Sequence, residues 1–398
     1  MWGMEGARVV EVGHGVAVPF CGRLLADLGA DVVKVEPPQG GDVTRRWGPT
    51  SPRAEMSPMF AYLNASKSSV TVDLTVPKGR DLLAGLLSTA DVVCMDLPPA
   101  TAVEWGLDFD TLHETNERLV VVTVTPFGFS GPYRDFAAYD LTVFHGGGEG
   151  YVLGAGLNHD LLPDRPPVTA GTFLAGYQTG LTAATGAVAA LVALGDGAEG
   201  QHVDASAQEA QVSLNHLTAM RYVDGVLETR DNRRFTFGGV VACQDGHVEV
   251  LPLEQHQWEL LVRLMDSPAW AAEDRFATGA DRSVNGPEIN SRIAEWAADK
   301  TRAEICERGQ ELGLPVAAYL GTGEVLTEAR SRWRDFFVDV DYPGKGPLPQ
   351  PRLPFQTGAD PVPRRPAPLL GEHTEQVLGE QLGLSDNDLS LLRANAII

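Results

Sequence analysis

The sequence predicts an α/β protein, with a large domain built on a parallel sheet and a smaller α+β domain. Three observations predict it. Residues 7–42 read ARVVEVGHGVAVPFCGRLLADLGADVVKVEPPQGGD, which is strand, tight turn, helix and strand, one βαβ unit. Short apolar runs then alternate with helical stretches through the first half of the chain, the pattern of a parallel sheet with helices on both faces. Finally, 398 residues exceed what one hydrophobic core usually serves, so a second domain is expected.

Each element has a local reason. Val9–Val12 is an apolar run that stops at Gly13-His14-Gly15, and Ala17–Leu28 is a helix ended by Gly29. Val32–Val35 is the second strand and closes on Glu36-Pro37-Pro38. Such units bind ligands outside the carboxyl ends of their strands, here at the His14 turn and at Glu36-Pro37. Residues 37–59 are rich in Pro, Gly and Arg and read as a loop. Ser69–Leu74 alternates as a strand, and Pro77–Ser88 is a helix with proline in its first turn. Ala90–Met95 and Leu119–Val124 are further strands, with a short helix over Phe109–Asn116 between them. Gly146–Gly156 is glycine-rich and reads as an irregular loop. Thr179–Leu194 is Ala, Leu and Val nearly all round and is expected as a buried helix. His202–Ala205 reads as a strand and Ser206–Tyr222 as a helix.

The texture then changes. Residues 223–240, with Arg230, Arg233 and Arg234, read as a linker. Cys243–Leu251 is a hairpin turning at Asp245-Gly246. Trp258–Met265, Ile289–Asp299 and Arg302–Leu312 are amphipathic helices, which places the smaller domain over 225–330. Residues 342–369 are proline-rich and are expected to be extended, with little regular structure. Thr374–Leu382 and Asp386–Ala394 are two short helices.

Composition narrows the function. Hydrophobic residues are 43% and charged residues 21%, ordinary for a globular protein. The formal charge of −22 argues against nucleic acid, whose phosphates such a surface repels. No stretch approaches the roughly 20 apolar residues of a bilayer span, so no membrane association is expected. The amino terminus lacks a basic region followed by an apolar one, and no secretion signal is expected. The four cysteines (Cys21, Cys94, Cys243, Cys306) are scattered, which suggests reduced thiols in a cytoplasm and neither zinc nor disulfides. His113, His202, His216, His247, His256 and His373 are too dispersed to suggest a metal site. Gly13–Val18 is not GxGxxG, and no GxSxG, HExxH or P-loop pattern occurs.

Several ordered segments carry a resemblance. They are LLADLGADVVKVEPPQGGD (Leu24–Asp42), FAYLNASKSSVTVDL (Phe60–Leu74), ADVV (Ala90–Val93), GLDFDTLHETNERLV (Gly106–Val120) and GFSGPY (Gly128–Tyr133). Later come GLTAATGAVAAL (Gly180–Leu191), GQHVDASAQEA (Gly200–Ala210) and GEHTEQVLGEQLGLSDNDL (Gly371–Leu389). Together they resemble the family III CoA-transferases, a group that includes formyl-CoA transferase, carnitine CoA-transferase and α-methylacyl-CoA racemase. The resemblance implies a Rossmann-like large domain over 1–224, with 331–398 returning to it and the small domain inserted. It implies an interlocked-ring dimer, coenzyme A or an acyl-CoA as substrate, and no metal.

The family's chemistry runs on one aspartate, which attacks the acyl-CoA carbonyl and carries a mixed anhydride and then an aspartyl-CoA thioester. By the resemblance that aspartate's place falls on Gly176, and no Asp or Glu occurs between Asp164 and Asp196. The CoA-contacting asparagine of relatives falls on Asp96, a phosphate-facing arginine on Glu104, and a first-turn glutamine on Val16. Both acids would repel phosphate. His14, Lys67 and Tyr139 are retained, so the positions expected to meet CoA are His14, Val16, Ala17, Lys67, Asp96, Leu97 and Tyr139. For Lys67 the alternative is a solvated lysine, and for His14 a histidine that only hydrogen-bonds its turn.

The expectation is a nucleophile-less subunit paired with an aspartate-bearing paralogous CoA-transferase subunit. The assembly would move CoA between an acyl-CoA donor such as succinyl-CoA and a small carboxylic acid. One alternative is an enzyme of the same fold running racemisation- or dehydration-type chemistry on acyl-CoA, with His145, Asp140 or Glu149 as base. Another is a homodimer that binds a ligand without turnover.

Overall fold

In a computed structural model of the protein, residues 3–48, 56–153, 166–214, 222–225, 237–328, 334–342, 346–358 and 362–398 are described. The first βαβ unit is β1 (Arg8–Val12), α1 (Ala17–Asp27) and β2 (Asp31–Glu36). A 3₁₀ turn (Val43–Arg46) and α2 (Pro58–Leu63) lead to β3 (Ser68–Thr71), α3 (Pro77–Leu87) and β4 (Val92–Met95). Next come α4 (Pro99–Trp105), α5 (Phe109–Thr115), β5 (Val120–Thr125), α6 (Asp140–Gly146), α7 (Glu149–Val152), α8 (Leu174–Gly195), β6 (His202–Ser206) and α9 (Ala207–Leu214).

The six strands form one parallel sheet in the order β3-β2-β1-β4-β5-β6. The sheet is covered on both faces, which explains why β4 and β5 carry no charge and are buried along their whole length. Successive strand residues point to opposite faces. Val10, Val93 and Val121 pack with Leu83 and Leu86 of α3 on one face. Val9, Val92 and Val120 pack with Leu25 of α1 and Ala187 of α8 on the other. The chain order reverses between β1 and β4, and the crevice beyond the carboxyl ends of those two strands is where a ligand site is expected.

α8 differs from its sequence-based expectation twice. It begins at Leu174 and runs 22 residues, long and apolar enough to cross a membrane by length and composition alone. It is also buried on one face only. Thr179, Ala183, Ala187 and Ala190 are buried, whereas Leu181 and Val192 are 55% and 63% exposed. Close approach to α1 requires the glycine at 180, because a Cβ there would lie 2.5 Å from the Ala17 carbonyl oxygen.

The proline-rich stretch also folds differently from expectation. β10 (Phe337–Tyr342) and β11 (Gly346–Pro351) pair as an antiparallel two-stranded sheet. Its prolines at 347, 349 and 351 fall on alternate positions, so the missing N–H groups share one side while Leu348 and Gln350 keep theirs. Tyr342 anchors the hairpin, its hydroxyl donating to the Ala61 carbonyl at 2.8 Å. The loop expected over 37–59 holds the 3₁₀ turn and the start of α2, and α6 and α7 reach into the glycine-rich stretch, where residues 154–165 lie outside the described residues. The helix expected to reach Tyr222 is α9 up to Leu214, and residues 215–221 lie outside the described residues, as does most of the 223–240 linker.

The chain divides into two compact units. One comprises Met1–Glu149, Thr169–His216 and Arg332–Ile398, and the other Gly150–Val168 and Leu217–Ser331. The second unit carries an antiparallel sheet of β7 (Gly239–Cys243), β8 (Gly246–Val250) and β9 (Val316–Ala318). Its core joins Val248 and Val250 to Trp258, Leu261 and Ile293 from helices α10 (Gln255–Leu264) and, after α11 (Gly279–Val284), α12 (Gly286–Ala297). In the first unit the chain ends in two helices, Thr374–Leu382 and Asp386–Ala394, whose Leu378, Leu389 and Leu392 complete the core under β1 and β4.

Candidate active site

A cavity of about 850 Å³ opens at the carboxyl ends of β1, β4 and β5, where the amino terminus of α8 arrives. His14, Val16, Ala17, Asp96, Tyr139, Asp140 and Gly176 all line it. The sheet reversal brings the first two strand ends together, so residues 82 apart in the chain meet: the His14 backbone N–H donates to Asp96 Oδ2 at 2.9 Å. The imidazole Nδ1 stands 3.2 Å from Asp96 Oδ1. The adjoining Asp96 carboxylate holds the His14 pKa above its ordinary value, with burial pulling the other way. His14 is thus neither a free ligand nor only a turn residue, but half of an imidazole–carboxylate pair whose ring stays 58% exposed.

The amino terminus of α8 makes the opposite wall. Thr172 and Phe173 both adopt the left-handed region, with φ of 67° and 59°. Two consecutive non-glycine residues there are strained and need support from their surroundings. That support is visible: the Phe173 ring stacks on Trp47 at 5.0 Å, and the Gly176 N–H donates to Asp140 Oδ1 at 2.7 Å. Asp140 therefore caps α8 from a different helix, satisfying one of the amides that a helix start leaves unpaired. Burial raises its carboxyl pKa, and the Gly176 N–H partly opposes the rise.

Position 176 is closed as well as bare. A Cβ there would lie 2.9 Å from Val16 Cβ and 3.4 Å from Asp140 Oδ1. The place is filled by a β-branched side chain of the first turn and by the capping carboxylate.

Lys67 belongs elsewhere. It is fully buried, and its ammonium donates to Glu11 Oε2 at 2.6 Å, Pro19 O at 2.7 Å and Asn64 Oδ1 at 2.9 Å. Neither a phosphate-binding nor a solvated lysine describes it. Glu11 also takes Lys34 at 2.7 Å, and Lys34 reaches Asp42 at 2.8 Å and the Gly13 carbonyl at 2.8 Å. Burial brings Lys67 down to about 8, while at Lys34 the same burial is outweighed by Glu11, Asp42 and Glu36, which together hold it above its ordinary value. The cluster braces the first turn from below, with Lys34 on the Gly13 carbonyl and Asp42 accepting from the Gly15 N–H at 3.4 Å.

Leu97 is 8% exposed and belongs to the core under the sheet, so it does not reach the cavity. His145, packed at its own helix end against Phe144, and Glu149 of α7 do not line it either, and Glu104 is exposed on α4. Trp47, Phe173 and Val43 do line it and were not anticipated. Only Trp47, an isolated aromatic in a Pro/Gly-rich loop, carried a signal. Among the described residues no group of three or more His, Cys, Asp or Glu could hold a metal ion.

The model of CoA-transferase family III matches residues 4–374. The chain belongs to that family. Among family III relatives, the succinyl-CoA–L-malate CoA-transferase beta subunit of Chloroflexus aurantiacus is 31% identical, across 99% of this chain and 98% of its own. The succinate–glutarate CoA-transferase of Agrobacterium fabrum is 31% identical across 95% of each chain. Among solved structures, a CAIB/BAIF family protein from Brucella suis superposes with a TM-score of 0.84 at 28% identity, covering 95% of this chain and 98% of that one. In this family III chain, then, the cavity at the β1/β4 reversal combines a histidine–aspartate pair, a capped helix start and a filled glycine position.

Proposed function

We propose that this chain is the nucleophile-less subunit of a family III CoA-transferase, assembled with an aspartate-bearing paralogue. The assembly moves CoA between an acyl-CoA donor, such as succinyl-CoA, and a carboxylic acid. The carrying observation is Gly176: where relatives place the attacking aspartate there is no side chain, and Val16 and Asp140 occupy the space beside it. Asp140 is engaged as the cap of α8, and releasing it would free the Gly176 amide at the strained helix start. The exposed apolar face of α8, with Leu181 and Val192, supports assembly with another chain. A relative described as a beta subunit also supports a heteromer. In such an assembly this chain supplies cavity wall and selectivity while the partner performs the covalent step.

The test is co-expression with an aspartate-bearing paralogue, co-purification, and a CoA-exchange assay. The expected result is exchange by the pair and none by either chain alone. Exchange by this chain alone overturns the proposal and favours a second reading, in which Asp140, the carboxylate beside position 176, carries the acyl group. Mass spectrometry of the hydroxylamine-treated chain would then find a hydroxamate at Asp140.

A further inference from the structure

The cavity walls point to the kind of acyl group the chain receives, an inference that rests on the proposed acyl-CoA function. Val16, Val43, Trp47, Leu141 and Phe173 give it aliphatic and aromatic surfaces, with the Tyr139 ring, 84% exposed, at its edge. Its volume of about 850 Å³ suits a small organic ligand. Among the described residues lining it there is no lysine and no arginine. His14, the lining side chain that can take up a positive charge, is committed to Asp96. Among the described residues Asp140 is answered by a backbone N–H, that of Gly176.

We infer that this cavity holds an apolar acyl group without a second charge and discriminates against dicarboxylic acyl groups such as succinyl. An alkyl or aryl chain gains by burial against Trp47, Phe173 and Val16. A second carboxylate would lose its water, find no cation, and stand in the same cavity as the Asp140 carboxylate. Such selectivity makes this chain the wall for the apolar acid, leaving a dicarboxylic donor to be accommodated elsewhere in the assembly.

Titration calorimetry with hexanoyl-CoA and succinyl-CoA tests this on the intact chain, because the shared CoA moiety cancels in the ratio of dissociation constants. Hexanoyl-CoA is expected to bind at least about tenfold tighter. Trp47→Ala is expected to shrink that ratio by about threefold or more, and Val43→Lys, which supplies the missing cation at an exposed position, is expected to move it toward succinyl-CoA. Equal or tighter binding of succinyl-CoA overturns the inference. If neither CoA ester binds, the proposed handling of CoA by this chain fails. The hexanoyl and succinyl thioesters of N-acetylcysteamine, which carry no phosphate, then read acyl preference separately. No hexanoyl preference with that pair, or no binding of either, overturns the inference itself.

Discussion

Gly176 and Asp96 are the two single positions on which the site turns. Restoring a carboxylate by Gly176→Asp adds a Cβ 2.9 Å from Val16 Cβ, so the variant is expected to lose about 1–3 kcal/mol by overpacking. It is also expected to gain no robust transferase activity alone, since Asp96 still opposes a phosphate. Urea denaturation and a CoA-exchange assay check both, and adding Val16→Ala should recover stability without activity. Asp96→Asn removes the carboxylate that raises the His14 pKa, and NMR titration of the imidazole should find a lower value. The sign of the linkage follows. A histidine whose folded pKa is raised stabilises fully below its ordinary 6.5, and that stabilisation disappears as pH rises through the folded-state value. The contribution is small because the ring is more than half exposed, and it should shrink in Asp96→Asn, where Asp42 is left to raise the value. The pair was not legible in the sequence. His14 and Asp96 are 82 positions apart, and only the placement of β4 beside β1 joins them. Lys67 misled for a related reason: burial converts a retained lysine into an internal brace, and burial cannot be read from one residue.

At the scale of elements, local chemistry was legible and tertiary pairing was not. β4 and β5 were readable because both faces are covered and their sequences, VVCM and VVVTVT, carry no charge. The helix Arg302–Leu312 was readable from its apolar period, and its Thr301–Glu304 capping box and Gly313 stop agree with those bounds. α4 was overlooked although Pro99 and Gly106 bracket it, because its seven residues give too short a period to stand out. β11 is hidden by prolines, whose alternation suits an edge strand but reads as disruption, and without it β10 has no partner to be recognised by. The sequence pattern starts α8 at Thr179 and not at Leu174 because Gly176 and Gly180 weaken its helical signal, and the cap that fixes the true start comes from Asp140, 36 positions away. Asp140→Ala is expected to cost about 1 kcal/mol, as loss of an amino-terminal cap does, and to raise hydrogen exchange at the Gly176 amide. An unchanged exchange rate there would remove Asp140 from the support of the strained Thr172–Phe173 turn.

At the scale of the whole molecule, the parallel sheet and the family were legible because many ordered segments agree, none decisive by itself. The occupancy of the cavity was not, since its walls come from β1, β4, β5, the 3₁₀ turn and α8 together. The large unit is assembled from three stretches of chain, the last beginning at Arg332. Val377, Leu378, Leu389 and Leu392 lie in the same core as Leu83 and Val93, and the Asp73 N–H donates to the Ile397 carbonyl at 2.7 Å. Ending the chain after Glu372 removes all of these. Losing even one buried leucine costs about 2–5 kcal/mol, so the truncation is expected to exceed the usual 5–15 kcal/mol of a domain. Circular dichroism should find no cooperative thermal transition for the large unit.

That late contribution has an outcome during synthesis. All six strands of the sheet have been synthesised by Ser206, yet the face that α3 covers lacks Val377, Leu378, Leu389 and Leu392 until residues 374–394 follow. The nascent sheet therefore waits with part of one apolar face uncovered while the intervening unit is translated, and exposed apolar surface of that kind is what chaperones bind.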